Sequence, residues 1–176
     1  MDFLELANNR QSTRKFDPAR PVDKELLQKC LDAMILSPSA CNSQPYFYYV
    51  LKGRKAKKAA QYAGKINAFA KDAPVIVVVT EENYNLTAKI GSMIKEQDYK
   101  SIDIGISAAY FTLEATSLGL STCIMGWFDE KELQKLLKFK GKIRLLIALG
   151  YAKNDELREK KRKSKSSIYS ILEDEQ

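Results

Sequence analysis

Apolar positions recur along this chain in two rhythms, and the switches between them mark the elements. Phe3, Leu4, Leu6 and Ala7 are carried by a short helix predicted over residues 2–9. The run Asp17-Pro18-Ala19-Arg20-Pro21 is a turn, because each proline disfavours helix in the residue before it. Asp23 can then cap a second helix, with Glu25 in its first turn and Leu26, Leu27, Cys30, Leu31, Met34 and Ile35 as a buried stripe. Tyr46–Leu51 has strong strand propensity, and residues 54–63 read as a basic helix with Ala56, Ala59, Ala60 and Tyr62 inside it. Pro74–Thr80 is a continuous apolar run, the pattern of a central strand covered on both faces.

Residues 81–98 are polar and weakly patterned, with Leu86, Ile90, Met93 and Ile94 at roughly helical spacing, as for a lid or a surface helix. The longest helix is expected from Asp98 to Leu118, with Ile102, Ile106, Ala109, Tyr110, Leu113 and Ser117 on one face and Gly119 as its stop. Gly105, Ser107, Ala108, Ala109 and Ala115 keep it thin, which suits a central core helix or a dimer spine. Ser121–Phe128 reads as a strand running into Gly126. Asp129 caps a helix from Glu130 to Leu137, and Ile143–Tyr151 is the last central strand. The order describes a layered protein with one sheet and helices on it, a single domain over residues 1–176.

Composition narrows the chemistry. A chain of 176 residues with 45% hydrophobic and 29% charged positions can bury a sizeable core, and no apolar run is long enough to cross a membrane. The first residues lack the basic and apolar regions of a signal peptide, and Cys30, Cys41 and Cys123 are odd in number and widely spaced. Both features lead us to expect reduced thiols, a cytoplasmic location and no metal motif. The chain has no histidine, which excludes Ser-His-Asp and Cys-His nucleophilic sites and His-liganded metals unless another chain supplies the imidazole. An enzyme of this composition needs an external cofactor for its hard step. The net charge of +7 draws on Lys153, Arg158, Lys160, Lys161, Arg162, Lys163 and Lys165. Nucleic acid, a phosphorylated small ligand or plain solubility would each account for that cluster, but no helix-turn-helix, zinc spacing or RNP-type motif stands beside it.

Two stretches can hold a ligand. Arg10-Gln11-Ser12-Thr13-Arg14 places two guanidiniums and two hydroxyls within five residues, and in an extended chain Arg10, Ser12 and Arg14 point the same way. It is an anion grip or a solvated basic turn. Pro38-Ser39-Ala40-Cys41-Asn42-Ser43-Gln44-Pro45 is small, polar and bounded by prolines; it is an ordinary loop or one that brings amides to a flat ligand.

Taken in order with Gly119–Phe128 and with Ala148–Tyr151 followed by Lys160–Lys163, these motifs resemble the FMN-dependent nitroreductase family in a short, compact form, over about residues 3 to 170. Asp103 in Ile102–Ile106 also resembles the family pattern. The resemblance implies an α+β fold with a central mixed, mostly antiparallel sheet flanked by helices, and a long helix at the interface of a homodimer with two shared FMN sites. It implies that Arg10 and Ser12 lie near the phosphate and ribityl chain, Arg14 near the N1 and C2 edge of the ring, and Lys160 and Arg162 on the phosphate. Pro38, Ser39, Ala40 and Asn42, with Gln44 as a looser match, are implied to come from the second subunit. The backbone of Met125 and Gly126 is implied to approach N5. Gln11, grouped with these cofactor-binding positions, stands where many relatives carry a second basic residue, leaving one charge fewer for the phosphate.

The implied activity is hydride transfer from NADH or NADPH, then reduction of nitroaromatics, quinones or related electron-poor acceptors by a ping-pong route. No protein nucleophile or metal takes part; Arg14 and Gly126 tune the flavin. A specialised reaction, reductive dehalogenation or flavin cleavage, is the alternative, and a nucleic-acid-binding role ranks below both.

Overall fold

Val75, in the continuous apolar run Pro74–Thr80, opens a strand that is covered on both faces. In the computed structural model, which describes residues 2–154 and 156–172, four strands form one sheet: β1 (Tyr46–Lys52), β2 (Val75–Glu81), β3 (Ser121–Met125) and β4 (Ile143–Gly150). Their order is β1-β2-β4-β3 and each neighbouring pair is antiparallel. The four-stranded sheet is antiparallel throughout, and one isolated parallel bridge outside it joins Ser12 to Thr122 of β3.

Alternation along the inner strands divides the core. Ile76, Val78, Leu146 and Ala148 face a layer made by α3 (Gly53–Gln61), α6 (Glu130–Leu137) and a 3-10 stretch at Lys65–Asp72. Val75, Val77, Val79, Ile147 and Leu149 face the other layer, made by α2 (Lys24–Ile35) and α5 (Tyr99–Ser117). The expected caps are in place: Asp23 accepts from Glu25 N–H, Asp129 from Glu132 N–H, and Gly119 takes a φ of 74° just beyond α5.

Several expectations shift. Helix α1 (Phe3–Asn9) buries none of its residues, and Phe3 and Leu4 stand exposed. In α2 the buried residues are Leu27, Cys30 and Met34, whereas Ile35 sits at the exposed end. Strand β3 stops at Met125 rather than Phe128. The 3-10 stretch at 65–72 has no strong periodicity to announce it. Residues 81–98 resolve into α4 (Leu86–Lys95), whose Leu86, Ile90, Met93 and Ile94 are exposed.

The long helix α5 carries two apolar faces. Its buried face is Asp103, Ile104, Ser107, Ala108, Phe111, Thr112 and Ala115, packed on α2 and β1, with Tyr48 Oη and Ser107 Oγ 2.8 Å apart. The face marked by Ile102 and Tyr110 remains 45% and 41% exposed. The sequence pattern therefore picked out the side of α5 that points away from this chain's own core.

Candidate functional site

The Arg10–Arg14 stretch is drawn out straight because both of its sides are occupied. After α1 the chain turns extended at Arg10, Thr13 N–H donates to Thr122 O at 2.8 Å, and Ser12 bridges Thr122. Further on, Phe16 bridges Ala152, Asp17 N–H donates to Tyr151 O and Lys153 N–H to Lys15 O, both at 2.9 Å. Phe16 is buried and anchors the stretch. Thr13 points inward and is buried, so by alternation Arg10, Ser12 and Arg14 share the outer side.

The basic tail returns along this stretch. Gln11 Nε2 donates to Glu156 O at 2.9 Å, while its Oε1 accepts from Arg158 N–H and from Arg158 Nε, each at 3.3 Å. Arg158 Nη2 donates to Ser12 O at 2.5 Å, and Lys160 Nζ to Arg10 O at 2.7 Å. The result is an open crevice of about 310 Å³ lined by Arg10, Ser12, Arg14, Arg158, Lys160, Lys161 and Arg162, with Glu159 as the acidic group on its wall. A ledge shares Arg10 and Ser12 with the crevice and continues over Ala109, Thr112 and Leu113 of α5 to Ile124 of β3.

The field in this crevice is positive. Loss of water, followed by the charges of Arg10, Arg162 and Arg158, pushes the Lys160 ammonium below its ordinary pKa. Burial raises the Cys123 thiol, and Arg14 leads the cations that pull it back down, so the thiol lies within their field. Four guanidiniums, two ammoniums (Lys160 and Lys161) and a hydroxyl are the donor set of a phosphate-sized anion, and the apolar ledge beside them suits a flat body attached to it.

Sequence reasoning did not single out Arg158, which is bound to both Gln11 and Ser12. Gln11 acts differently from the expectation of a lost charge: its amide ties the tail in place. The other expected positions lie apart. Pro38, Ser39, Ala40, Asn42 and Gln44 do not line the crevice of their own chain; they form a loop with a 3-10 turn at Ala40–Asn42 beside the start of α5. Met125 is buried at the end of β3, so its side chain is in the core, while Gly126 is exposed with open space where a Cβ would be. Beyond it, Trp127 O accepts from Asn67 Nδ2 at 2.9 Å, which fixes the chain's exit from β3.

Among the described residues no group of His, Cys, Asp and Glu side chains could hold a metal, and no helix is long and apolar enough to cross a membrane.

Comparison with known proteins follows the same outline. The chain is 32% identical over 126 residues to a Methanothermobacter thermautotrophicus protein with the provisional name NADH dehydrogenase/NAD(P)H nitroreductase, over 72% of this chain and 61% of that protein. A nitroreductase family protein from Streptococcus pneumoniae superposes with a TM-score of 0.82 at 22% identity, over 97% of this chain and all (100%) of the other. An FMN-dependent nitroreductase from Clostridium difficile gives 0.72 at 24% identity, over 94% of each. The Nitroreductase family profile matches residues 7–68 and 54–151, which takes in the Arg10–Arg14 stretch, all four strands and α5. The chain belongs to the nitroreductase family.

Proposed function

We propose that this chain is an FMN-dependent oxidoreductase that accepts a hydride from NADH or NADPH and reduces electron-poor acceptors such as nitroaromatics or quinones in alternating, ping-pong half-reactions. The observation that carries this reading is the strapping of the tail onto residues 10–12, which gathers Arg10, Arg158, Lys160 and Arg162 around one crevice beside an apolar ledge. The names of the relatives support it, one for NAD(P)H nitroreduction and one for FMN dependence.

Bound FMN would supply the redox chemistry, taking up the hydride and passing electrons on. The chain's own residues bind and orient it. Arg10 and Ser12 hold the phosphate and the ribityl chain, and Arg158, Lys160 and Arg162 hold the phosphate. Arg14 addresses the pyrimidine edge of the ring, where fixed positive charge favours uptake of electrons. The exposed backbone of Gly126, following buried Met125, is free to donate a hydrogen bond to N5. Pro38, Ser39, Ala40, Asn42 and Gln44 complete the site of a second copy in a homodimer, built on the exposed face of α5 around Gly105, Ala109 and Tyr110. The three unpaired cysteines accord with a reducing, cytoplasmic setting.

The purified protein should be yellow, or turn yellow with added FMN, and should bleach under NADH or NADPH without oxygen. A colourless protein that takes up no FMN refutes the proposal. Product analysis with a halogenated aromatic separates generic reduction from dehalogenation.

A further inference from the structure

We infer that Asp103 is a positioning residue, which holds the 39–44 loop in the shape that completes a second copy's flavin site. The inference rests on the reading above that this loop serves a neighbouring copy. It starts from a buried carboxylate with few partners. Asp103 lies in the first turns of α5, is 2% exposed, and directs both oxygens at one amide: Ala40 N–H is 3.1 Å from Oδ1 and 3.2 Å from Oδ2. No ion pair reaches it among the described residues. Burial alone pushes its carboxyl above the usual range, and the Ala40 N–H pulls the other way. Core packing at such a place is done more favourably by an apolar side chain, so what the carboxylate adds is its grip on Ala40.

The gripped loop needs holding. Cys41, Asn42 and Gln44 take φ of 50°, 51° and 45°, the left-handed region that side-chain-bearing residues seldom occupy. Three of the bonds that fix this shape lie at the exposed surface: Gln44 N–H to Ser39 Oγ at 3.0 Å, Gln44 Nε2 to Asn42 Oδ1 at 2.7 Å, and Asn85 Nδ2 to Cys41 O at 2.9 Å. The Asp103 contact is more buried than these, and it engages the loop immediately before the first left-handed residue.

Helix α5 also explains why the loop does not serve its own chain. Gly105, Ala109, Thr112 and Leu113 wall the ledge next to Arg10 and Ser12. Gly105 is only two residues from Asp103, but at 3.6 residues per turn it and Thr112 lie about half a turn round the helix from it. One rigid helix thus grips the loop on one side and walls the chain's own site on the other.

The test uses the full chain, loaded with FMN for the exchange measurement and stripped of flavin for the titrations. Hydrogen exchange over residues 38–45 reports the loop, and titration with FMN and with riboflavin, which lacks the phosphate, reports which end of the ligand is affected. Asp103→Ala should speed exchange in 38–45 and weaken FMN and riboflavin by the same factor, about tenfold, the loss expected of one charge-assisted hydrogen bond. Asp103→Asn keeps an acceptor oxygen and should recover most of both. Unchanged protection of 38–45 in a folded Asp103→Ala overturns the inference. So does a loosened loop with both affinities intact, and in that case FMN binding and bleaching by NAD(P)H still stand, so the two readings fail separately. Should Asp103→Ala not fold, Asp103→Val, which fills the buried position with an apolar side chain and leaves Ala40 N–H without its acceptor, must reproduce the faster exchange and the equal loss on both ligands.

Discussion

Arg158→Ala tests whether the crevice is a phosphate site. In the structure Arg158 uses Nη2 on Ser12 O and Nε on Gln11 Oε1, which aligns its guanidinium with Arg10 and Lys160 at the crevice wall. A hydrogen bond to a charged group contributes about 1.5–3 kcal/mol net. A unit charge about 5 Å from another at an effective dielectric of about 20 contributes about 3 kcal/mol, so charge and bond are two views of one gain. Against it stands relief: removing Arg158 takes away a cation that already crowds Lys160. The net expectation is a loss of about 1–2 kcal/mol, or about 5- to 30-fold in FMN affinity. Flavin fluorescence titrated at fixed ionic strength measures it. Riboflavin has no phosphate and should bind the variant as it binds the parent. Arg158→Lys should recover part of the loss, because it restores charge without the planar fork. FMN affinity unchanged within about twofold, or an equal loss for riboflavin, would refute the phosphate assignment.

The depressed Lys160 pKa means that the charged ammonium is disfavoured in the free fold; this penalty is present at neutral pH and fades as pH rises through the folded pKa toward 10.5. A bound phosphate should reverse the shift, so Lys160 should take up protons as FMN binds in the window just below 10.5, measurable by calorimetry in buffers of different ionisation enthalpy. Gly150→Ala would put a Cβ 2.6 Å from Pro74 Cδ and 3.2 Å from Phe16 Cδ1, against the residue that anchors the Arg10–Arg14 stretch. A loss of about 1–3 kcal/mol and a melting temperature lower by about 2–10 °C are expected, and an unchanged melt would show that Pro74 yields freely. Burial pushes the Cys30 thiol up to about 12 and raises Cys123, whereas Cys41 is exposed. A disulfide reagent at about pH 8 should therefore titrate one thiol quickly and the other two only on unfolding.

The fold was legible wherever one local rule governs one element. Pro74–Thr80 could be a central strand only if both faces were covered, and Val75–Thr80 are all buried. Asp23, Asp129 and Gly119 mark helix ends through bonds made within a few residues. Two-sided elements were less legible. Helix α5 is apolar on its core face and on its exposed face, so periodicity alone could not say which side this chain buries. The 65–72 stretch begins at Gly64 with φ of 77° and is kinked at Asn67, a conformation without a hydrophobic period.

The site was legible as residue types but not as connections, and Gln11 shows why. Read alone, a neutral amide between Arg10 and Ser12 is a missing cation. In the fold it meets a segment about 145 residues away, and there only an amide serves: its NH₂ donates to Glu156 O while its carbonyl accepts from Arg158. A lysine or arginine could make the first bond but has no acceptor for the second, and it would repel the guanidinium it is meant to seat. The charge forgone at position 11 thus reappears at Arg158, aimed by the amide that replaced it. Such an exchange is invisible in a single sequence, because its two halves are joined only by the antiparallel pairing that brings the tail back from β4 past Lys15 and Phe16. The same holds for Asp103 and Ala40, 63 residues apart, whose bond neither residue's neighbours announce. What the cation count of this chain means is set by these long-range bonds, which turn part of a solvated basic tail into the wall of a binding site.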